Sequence, residues 1–481
     1  MSLDIILSIG SPLRRFLAWS GILLLAYLAY FFIGGVLAFG INTTETVHQD
    51  IEYYSPKIGP DRVVLLEDRV QSGIARLDLI RQAETSIDIA YYTITQGVAA
   101  ELYLSALLEA AERGVEVRIL LDGIFHNMRR KLADYRHAMA VHPGIEIAVY
   151  EPFSPIHPWR IQNRLHDKIM LVDGNKLLIG GRNIGDRYYL ADHAEPVFDR
   201  DVLLLHTSSG NPAESVLPQA EQYYHKLWQS RFVRQISPPR WRHHRQKAAE
   251  HITRQIDWLD QVRQSSDLLP SEPIDWKSCS LPTRKVTFLH NPLERMHKQP
   301  VIWSELTALA STANTRVYLQ SPYIILDRAM LRLAPDLPTA PITMLTNSAA
   351  SSPNLPALAG YLNSRDAVSA AADRLYEYHG AGSIHAKTYI IDDRLSLIGA
   401  FNLDPRSSFL STESLVAIDS PELAAEILVS LDSLLASSAR IDSDLTEVPS
   451  PDAPSYPEIS RGRRLKIAAM RLLIYPFAYM L

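Results

Sequence analysis

A motif written twice limits what this chain can become. His166-Asp167-Lys168-Ile169-Met170-Leu171-Val172-Asp173 continues to Gly180-Gly181-Arg182-Asn183. His385-Ala386-Lys387-Thr388-Tyr389-Ile390-Ile391-Asp392 continues to Gly399-Ala400-Phe401-Asn402. In both, the histidine stands two positions before the lysine, seven before the aspartate and seventeen before the asparagine. Alternation along a strand puts each His–Lys pair on one face, and the apolar residues that follow suit a buried strand. One His-x-Lys means nothing. Two with the same offsets point to a duplicated unit.

The flanking segments repeat in the same order. Residues 86–92 read as a strand, 97–113 as an Ala/Leu-rich helix and 114–123 as a buried strand opened and closed by glycine, which together predict a βαβ unit. Residues 145–150 read as a further strand. In the second half, 315–319 and 342–345 read as strands, with a short helix at 328–333 between them and a longer one at about 356–373. The expected fold class is α/β: two pseudo-symmetric βαβ-containing halves.

The repeated residues suit chemistry at a phosphodiester. Lys168 and Lys387 can neutralise the non-bridging oxygens, and Asn183 and Asn402 can add amide donors. One imidazole can attack phosphorus while the other protonates the leaving oxygen. A carboxylate on the far ring nitrogen would fix each tautomer. Asp201 and Glu413 are the candidates, each entering a strand beside its own motif; Asp199, two positions earlier with the same parity, stays open as the alternative to Asp201. Asp173 and Asp392 complete the motif and are counted with the catalytic set, although their place also suits bonding to nearby turns. A lysine beside each histidine repels a metal ion, so no metal and no cofactor are expected.

These residues resemble the paired HxKxxxxD signatures of the phospholipase D superfamily, over roughly residues 60–440. Within it the chain looks most like bacterial cardiolipin synthases of the C type. The cues are an N-terminal apolar segment, Gly-Gly-Arg-Asn-Ile-Gly-Asp at 180–186, Phe-Asn-Leu-Asp-Pro-Arg-Ser at 401–407 and a basic-apolar C-terminus. The resemblance implies one active site shared by two phospholipase-D-like halves, one HxK from each, and a phosphohistidine intermediate without metal. By that analogy His166 is the nucleophile and His385 the acid, then base; the residues themselves do not decide which is which. Many members carry serine after the glycine of the GxxN element, where this chain has Gly181 and Ala400.

The ends point to a bilayer. Residues 16–41 carry no charge and would span about 39 Å as a helix, more than a hydrocarbon core of roughly 30 Å. Arg14 and Arg15 precede them, which predicts a single-pass anchor in a bacterial inner membrane with the catalytic body periplasmic. A cleaved signal ending near Ala38-Phe39-Gly40 is the alternative, for which the apolar run is too long. Residues 459–481 contain no acid and mix Arg461, Arg463, Arg464, Lys466 and Arg471 with apolar residues. That reads as an interfacial amphipathic segment or as a solvated helix packed on its own domain. Residues 441–458, with five acids and four prolines, read as an extended linker.

The expected organisation is an anchor (1–45), a first half (60–230), a basic insertion or linker (231–283), a second half (284–440) and an acidic linker with a membrane-associating tail (441–481). The stretch 223–254 holds eight Lys/Arg and one acid, and reads either as a cationic lip for lipid headgroups or as a solvated helical insertion. The net charge of −5 argues against a general nucleic-acid binder, and the single cysteine, Cys279, excludes an intramolecular disulfide. The predicted function is a membrane-bound phosphatidyltransferase that makes cardiolipin from phosphatidylglycerol and a second phospholipid. A phospholipase D that hydrolyses to phosphatidic acid, or a nuclease of the same superfamily, are the alternatives. Phospholipids and a membrane are the expected partners, nucleic acid is not, and the oligomeric state is open.

Overall fold

Each copy of the motif lies inside its own β-sheet. A computed structural model describes residues 12–40, 49–207, 211–265, 270, 272–334, 339–449 and 459–481. The first half supplies strands β1 (Asp61–Leu66), β2 (Ser86–Tyr91), β3 (Glu116–Asp122), β4 (Ile145–Tyr150), β5 (Lys168–Val172), β6 (Lys176–Gly180), β7 (Val197–Phe198), β8 (Asp201–His206), β9 (Val233–Gln235) and β10 (Leu281–Pro282). The second supplies β11 (Lys285–His290), β12 (Val317–Gln320), β13 (Ile342–Asn347), β14 (Arg374–Tyr378), β15 (Ser383–Ile384), β16 (Thr388–Ile391), β17 (Leu395–Gly399), β18 (Ser414–Asp419), β19 (Ser438–Ile441) and β20 (Glu447–Val448).

The spatial order β1-β8-β6-β5-β2-β3-β4 recurs as β11-β18-β17-β16-β12-β13-β14. Strands β2, β3 and β4 run parallel, as the βαβ pattern predicts, and so do β12, β13 and β14. The motif strands β5 and β16 pair antiparallel with β2 and β12. The fold is therefore α/β with two repeated halves. The two sheets share an apolar layer in which Ile169, Ile179, Val202 and Leu204 meet Ile390, Ile398, Val416 and Ile418. Helices cover the other faces, for example Val98–Glu112 over the first sheet and Leu355–Ala370 over the second. Burial on both faces explains why the motif strands read as unbroken apolar runs.

Asp173 and Asp392 lie at the far ends of β5 and β16. Both adopt positive φ, +51° and +52°. Asp173 accepts hydrogen bonds from the backbone N–H groups of Glu84, Thr85 and Ser86 at 2.8–3.2 Å. Asp392 does the same for Asn314, Thr315 and Arg316. A strand rise places each roughly 17 Å from its motif lysine. Their counting with the catalytic set is thereby corrected: they clamp the turns that launch β2 and β12.

The segment Arg14–Phe39, helical throughout, has a mean hydropathy of 2.4 and is mostly exposed, long and apolar enough to cross a membrane. Its C-terminal part docks on the loop before the first motif. Tyr27 and Tyr30 donate hydroxyl hydrogen bonds to the carbonyls of Pro155 and Ile156 at 3.1 and 2.8 Å, and the Tyr30 ring meets Trp159 edge-on at 5.1 Å.

In the basic stretch, β9 extends the first sheet beside β4. Helix Arg242–Ser265 buries Ala248, Ile252 and Leu259 against the helices Val98–Glu112 and Ala133–Val141, while Arg242 and Arg245 stay exposed. The helix thus packs on the first half with its basic first turn exposed. At the C-terminus, helix Arg461–Ile474 packs on Leu355–Ala370 through Ile467. It leaves Leu465, Leu472 and Leu473 exposed, with Tyr475 beyond it. Residues 450–458 of the expected linker lie outside the described residues.

Candidate active site

Each motif histidine stands just before its strand, and there the two halves exchange backbone. Leu165 forms a parallel bridge with Thr412, and β15 pairs parallel with β7, setting Ser383 against Val197 and Ile384 against Phe198. The His166 N–H donates to Thr412 Oγ1 (3.1 Å), and the His385 N–H donates to the Phe198 carbonyl (2.6 Å). The residue after Thr412 is Glu413 and the residue after Phe198 is Asp199. Each histidine thus meets a carboxylate from the opposite half. His166 Nδ1 lies 2.9 and 3.0 Å from the Glu413 oxygens, and His385 Nδ1 lies 2.6 Å from Asp199 Oδ2.

The expectation for Asp201 is overturned here. Asp201 faces away from both histidines and accepts from Arg76 (2.9 Å), Arg182 (3.0 Å) and Ser72 (2.7 Å), a buried ion-pair network. The strand register explains this. Gly180 pairs with Asp201 and Gly399 with Leu415, so the counterpart of Asp201 is an apolar residue and that of Asp199 is Glu413. The loop after the second asparagine is five residues shorter than the first, and offsets counted along the chain lose the correspondence. Gly181 belongs to the same arrangement. A Cβ there would stand 2.1 Å from Asp199 Oδ1, so the absence of a side chain makes room for the carboxylate.

The lysines are fully buried. Lys168 donates to the His166 carbonyl. Lys387 donates to the His385 carbonyl and sits 2.8 and 3.2 Å from the two ring nitrogens of His385. Asn183 donates to the Tyr188 hydroxyl at 3.3 Å; its Oδ1 and that of Asn402 lack partners among the described residues. Sequence reasoning missed Asp199 as the definite partner, and also the aromatic walls. Tyr92 meets the His166 ring edge-on at 5.2 Å and Tyr188 meets His385 at 5.7 Å. It also missed Asp167, which accepts from Tyr223, Thr412 and Ser414 and locks the first motif onto the second half. No spacing rule pointed to these, because each contact crosses between distant segments.

Burial governs the charges. It drives the His166 imidazole well below its ordinary value, and Lys168 and Lys387 add to the effect. Burial and then Lys387 push His385 down to about 4, against the pull of Asp199. Burial pushes Glu413 well up, with Lys168 opposing. Burial acts upward on Asp199 too, but His385 and Lys387 outweigh it and hold the carboxylate below its usual range. The lysines fall, chiefly through burial, to about 8 for Lys168 and about 7 for Lys387. The resting site therefore holds neutral imidazoles, one of them fit to attack an electrophile, and two ammonium groups that give up protons easily. An anionic ligand would raise the histidine and lysine values again.

The family described as "Cardiolipin synthase, PLD-like domain" matches residues 77–228 and 306–435, which contain both motifs. The chain belongs to this family. Cardiolipin synthase C of Escherichia coli is 30% identical over 403 residues, covering 75% of this chain and 81% of that protein. Cardiolipin synthase 1 of Staphylococcus aureus is 25% identical over 357 residues, covering 73% of this chain and 62% of that one. The fold is also that of the phosphatidylserine synthase of Haemophilus influenzae, with a TM-score of 0.59 at 14% identity over 87% of this chain and 95% of that one. Membership makes the chain a phospholipid phosphatidyltransferase of the phospholipase D superfamily.

A pH dependence follows. A Lys387 that neutralises a phosphoryl oxygen, as its place in the motif implies, needs its proton, and in the free enzyme burial brings that proton off near pH 7. Since kcat/KM reports free-enzyme groups, it should fall above about pH 7. Lys387→Arg, charged throughout, should move that descent alkaline even if its maximum rate is lower. An unchanged alkaline limb in the variant would assign it to another group.

Proposed function

We propose that this protein makes cardiolipin from phosphatidylglycerol and a second phospholipid, phosphatidylglycerol or phosphatidylethanolamine, through a phosphohistidine. The observation that carries the reading is the crossed pair His166–Glu413 and His385–Asp199, with a buried lysine two residues after each histidine. With Nδ1 held by a carboxylate, Nε2 is the reactive atom of each imidazole. His166 Nε2 attacks phosphorus of the first lipid and the bond to its headgroup oxygen breaks. His385, protonated once the anionic phosphodiester is bound, gives Nε2–H to that oxygen, and glycerol or ethanolamine leaves. A hydroxyl of phosphatidylglycerol then passes its proton to His385 and attacks phosphorus, and the P–N bond breaks. Lys168, Lys387, Asn183 and Asn402 hold the phosphoryl oxygens. Glu413 and Asp199 steady the two imidazoliums; Asp173, Asp392 and Asp201 act in the scaffold.

Water competes for the phosphohistidine. Transfer wins where the acceptor is confined and oriented, which is worth effective molarities of about 10⁵ M or more. The exposed Leu472, Leu473 and Tyr475 and the apolar helix support a site held against a bilayer, since Phe477 of the tail packs on Phe32 of that helix. Full-length protein in vesicles of phosphatidylglycerol and phosphatidylethanolamine, one lipid labelled, should yield more cardiolipin than phosphatidic acid. Dominant phosphatidic acid with phosphatidylglycerol abundant would favour the hydrolase.

The same reading places the helix as a single span of the inner membrane with the catalytic body periplasmic, supported by Arg14 and Arg15 at its N-terminal end. Reporter fusions after residue 60 should score periplasmic. A cytoplasmic score would reverse the topology and leave the chemistry standing.

A further inference from the structure

An apolar cavity of about 520 Å³ lies behind the wall that carries first-half site residues. Asn183 and Tyr188 stand on the catalytic side, Tyr188 edge-on to His385. Their chain neighbours Ile184 and Tyr189 line the cavity. Ile74 and Leu77 of helix Arg69–Gln82 and Leu102 of helix Val98–Glu112 supply other walls. The lip is the loop 190–194, where Ala191, Asp192 and Ala194 are exposed. Asp186 pins the base of that loop by accepting from the N–H groups of Val98 and Ala99 at 3.3 and 2.8 Å.

The pseudo-symmetry shows that this space is particular to one half. Through this stretch the halves are offset by 230 residues. Thr85 and Thr315 both donate their N–H to the motif aspartates, and Ile94 and Ile324 both bridge to the residue after the motif asparagine. The offset sets Trp303 opposite Gly73 and Met330 opposite Ala100. In the second half the Trp303 indole is buried and donates to the Met330 carbonyl at 3.1 Å, filling between its helices. In the first half Gly73 has no side chain, and a Cβ there would press on the Tyr189 ring at 3.3 Å.

We propose that this cavity takes one acyl chain of the phospholipid whose phosphate lies at the histidines; the proposal rests on the phosphatidyltransferase reading. The inner walls are aliphatic and aromatic, and the polar side chains of Asp192 and His193 stand on the lip. The guanidinium among the walls, Arg76, is already bonded to Asp201, Ser72 and Tyr91 and has no headgroup to recognise. An apolar space gives water no partners, and its size lies within the roughly 300–1,000 Å³ of small-molecule sites. An acyl chain is tethered to its phosphate by the glycerol backbone, and cavity and phosphate site share one wall. Lodging the chain would therefore orient the phosphodiester toward the histidines.

The test uses full-length protein and monomeric phosphatidylglycerols with chains of four to eight carbons, kept below their micellar concentrations. For the wild type, KM should fall with each added methylene, by up to roughly fourfold per buried group. Ile74→Trp and Leu77→Trp should flatten that dependence while matching the wild type on the shortest chains. Separately, wild-type protein in phosphatidylglycerol vesicles carrying a photoreactive group at the acyl terminus should be labelled within residues 70–77, 99–103 or 189–194. Filled variants that keep the wild-type chain-length dependence, or labelling only elsewhere, would overturn the proposal. Should wild-type protein turn over no phospholipid, the phosphatidyltransferase reading fails, and the labelling pattern alone decides the cavity.

Discussion

His166→Ala and His385→Ala should each lower lipid transfer by at least about 10⁴-fold, the scale seen when a nucleophile or its proton-transfer partner is removed from a unit that acts together. Both rings sit in one site between carboxylates of opposite halves, so neither half can work alone. The two losses should differ in kind. Without His166 there is no nitrogen to take the phosphatidyl group, and no phosphohistidine should be trapped from any substrate. Without His385 the leaving oxygen lacks its proton, and a substrate with an acidic phenol as leaving group should still load His166. Mass spectrometry of acid-quenched protein with such a substrate separates the two. Near-normal lipid transfer by either variant would dismiss the assignment, and the opposite trapping pattern would exchange the roles.

Asp199→Asn should lower kcat by about 10³–10⁴-fold, because an amide in place of the carboxylate neither stabilises the imidazolium nor enforces the tautomer. Glu413→Gln should behave alike at His166. Asp201→Asn is the informative contrast. It leaves the buried guanidinium groups of Arg76 and Arg182 without their counter-charge, which costs about 3–5 kcal/mol of stability. Its thermal transition should drop by several degrees, while the protein that remains folded keeps most of its turnover. Asp199→Asn should melt close to the wild type and be nearly inactive. Full activity in Asp199→Asn, or a wild-type melting point in Asp201→Asn, would show that the two aspartates have been given each other's roles.

The alternation of His and Lys and the apolar runs behind them made both motif strands legible, since a strand buried on two faces must look that way. The glycine-bounded strands and the helix between them likewise marked the parallel βαβ core, because those signals are local. The repeated offsets of lysine, aspartate and asparagine fixed the duplication. The choice between Asp199 and Asp201 was not legible, because both have the parity to reach a histidine and only the register of β8 on β6 separates them. The loops between motif and carboxylate differ in length, so the repeat that exposes the histidines hides their partners. Nor did any spacing announce that the carboxylates cross between halves. That follows from two short parallel pairings, Leu165 with Thr412 and β7 with β15, which exist only when the sheets have packed face to face. Local chemistry named the groups that can react; burial in the shared interface decided which carboxylate holds which ring, and with what charge.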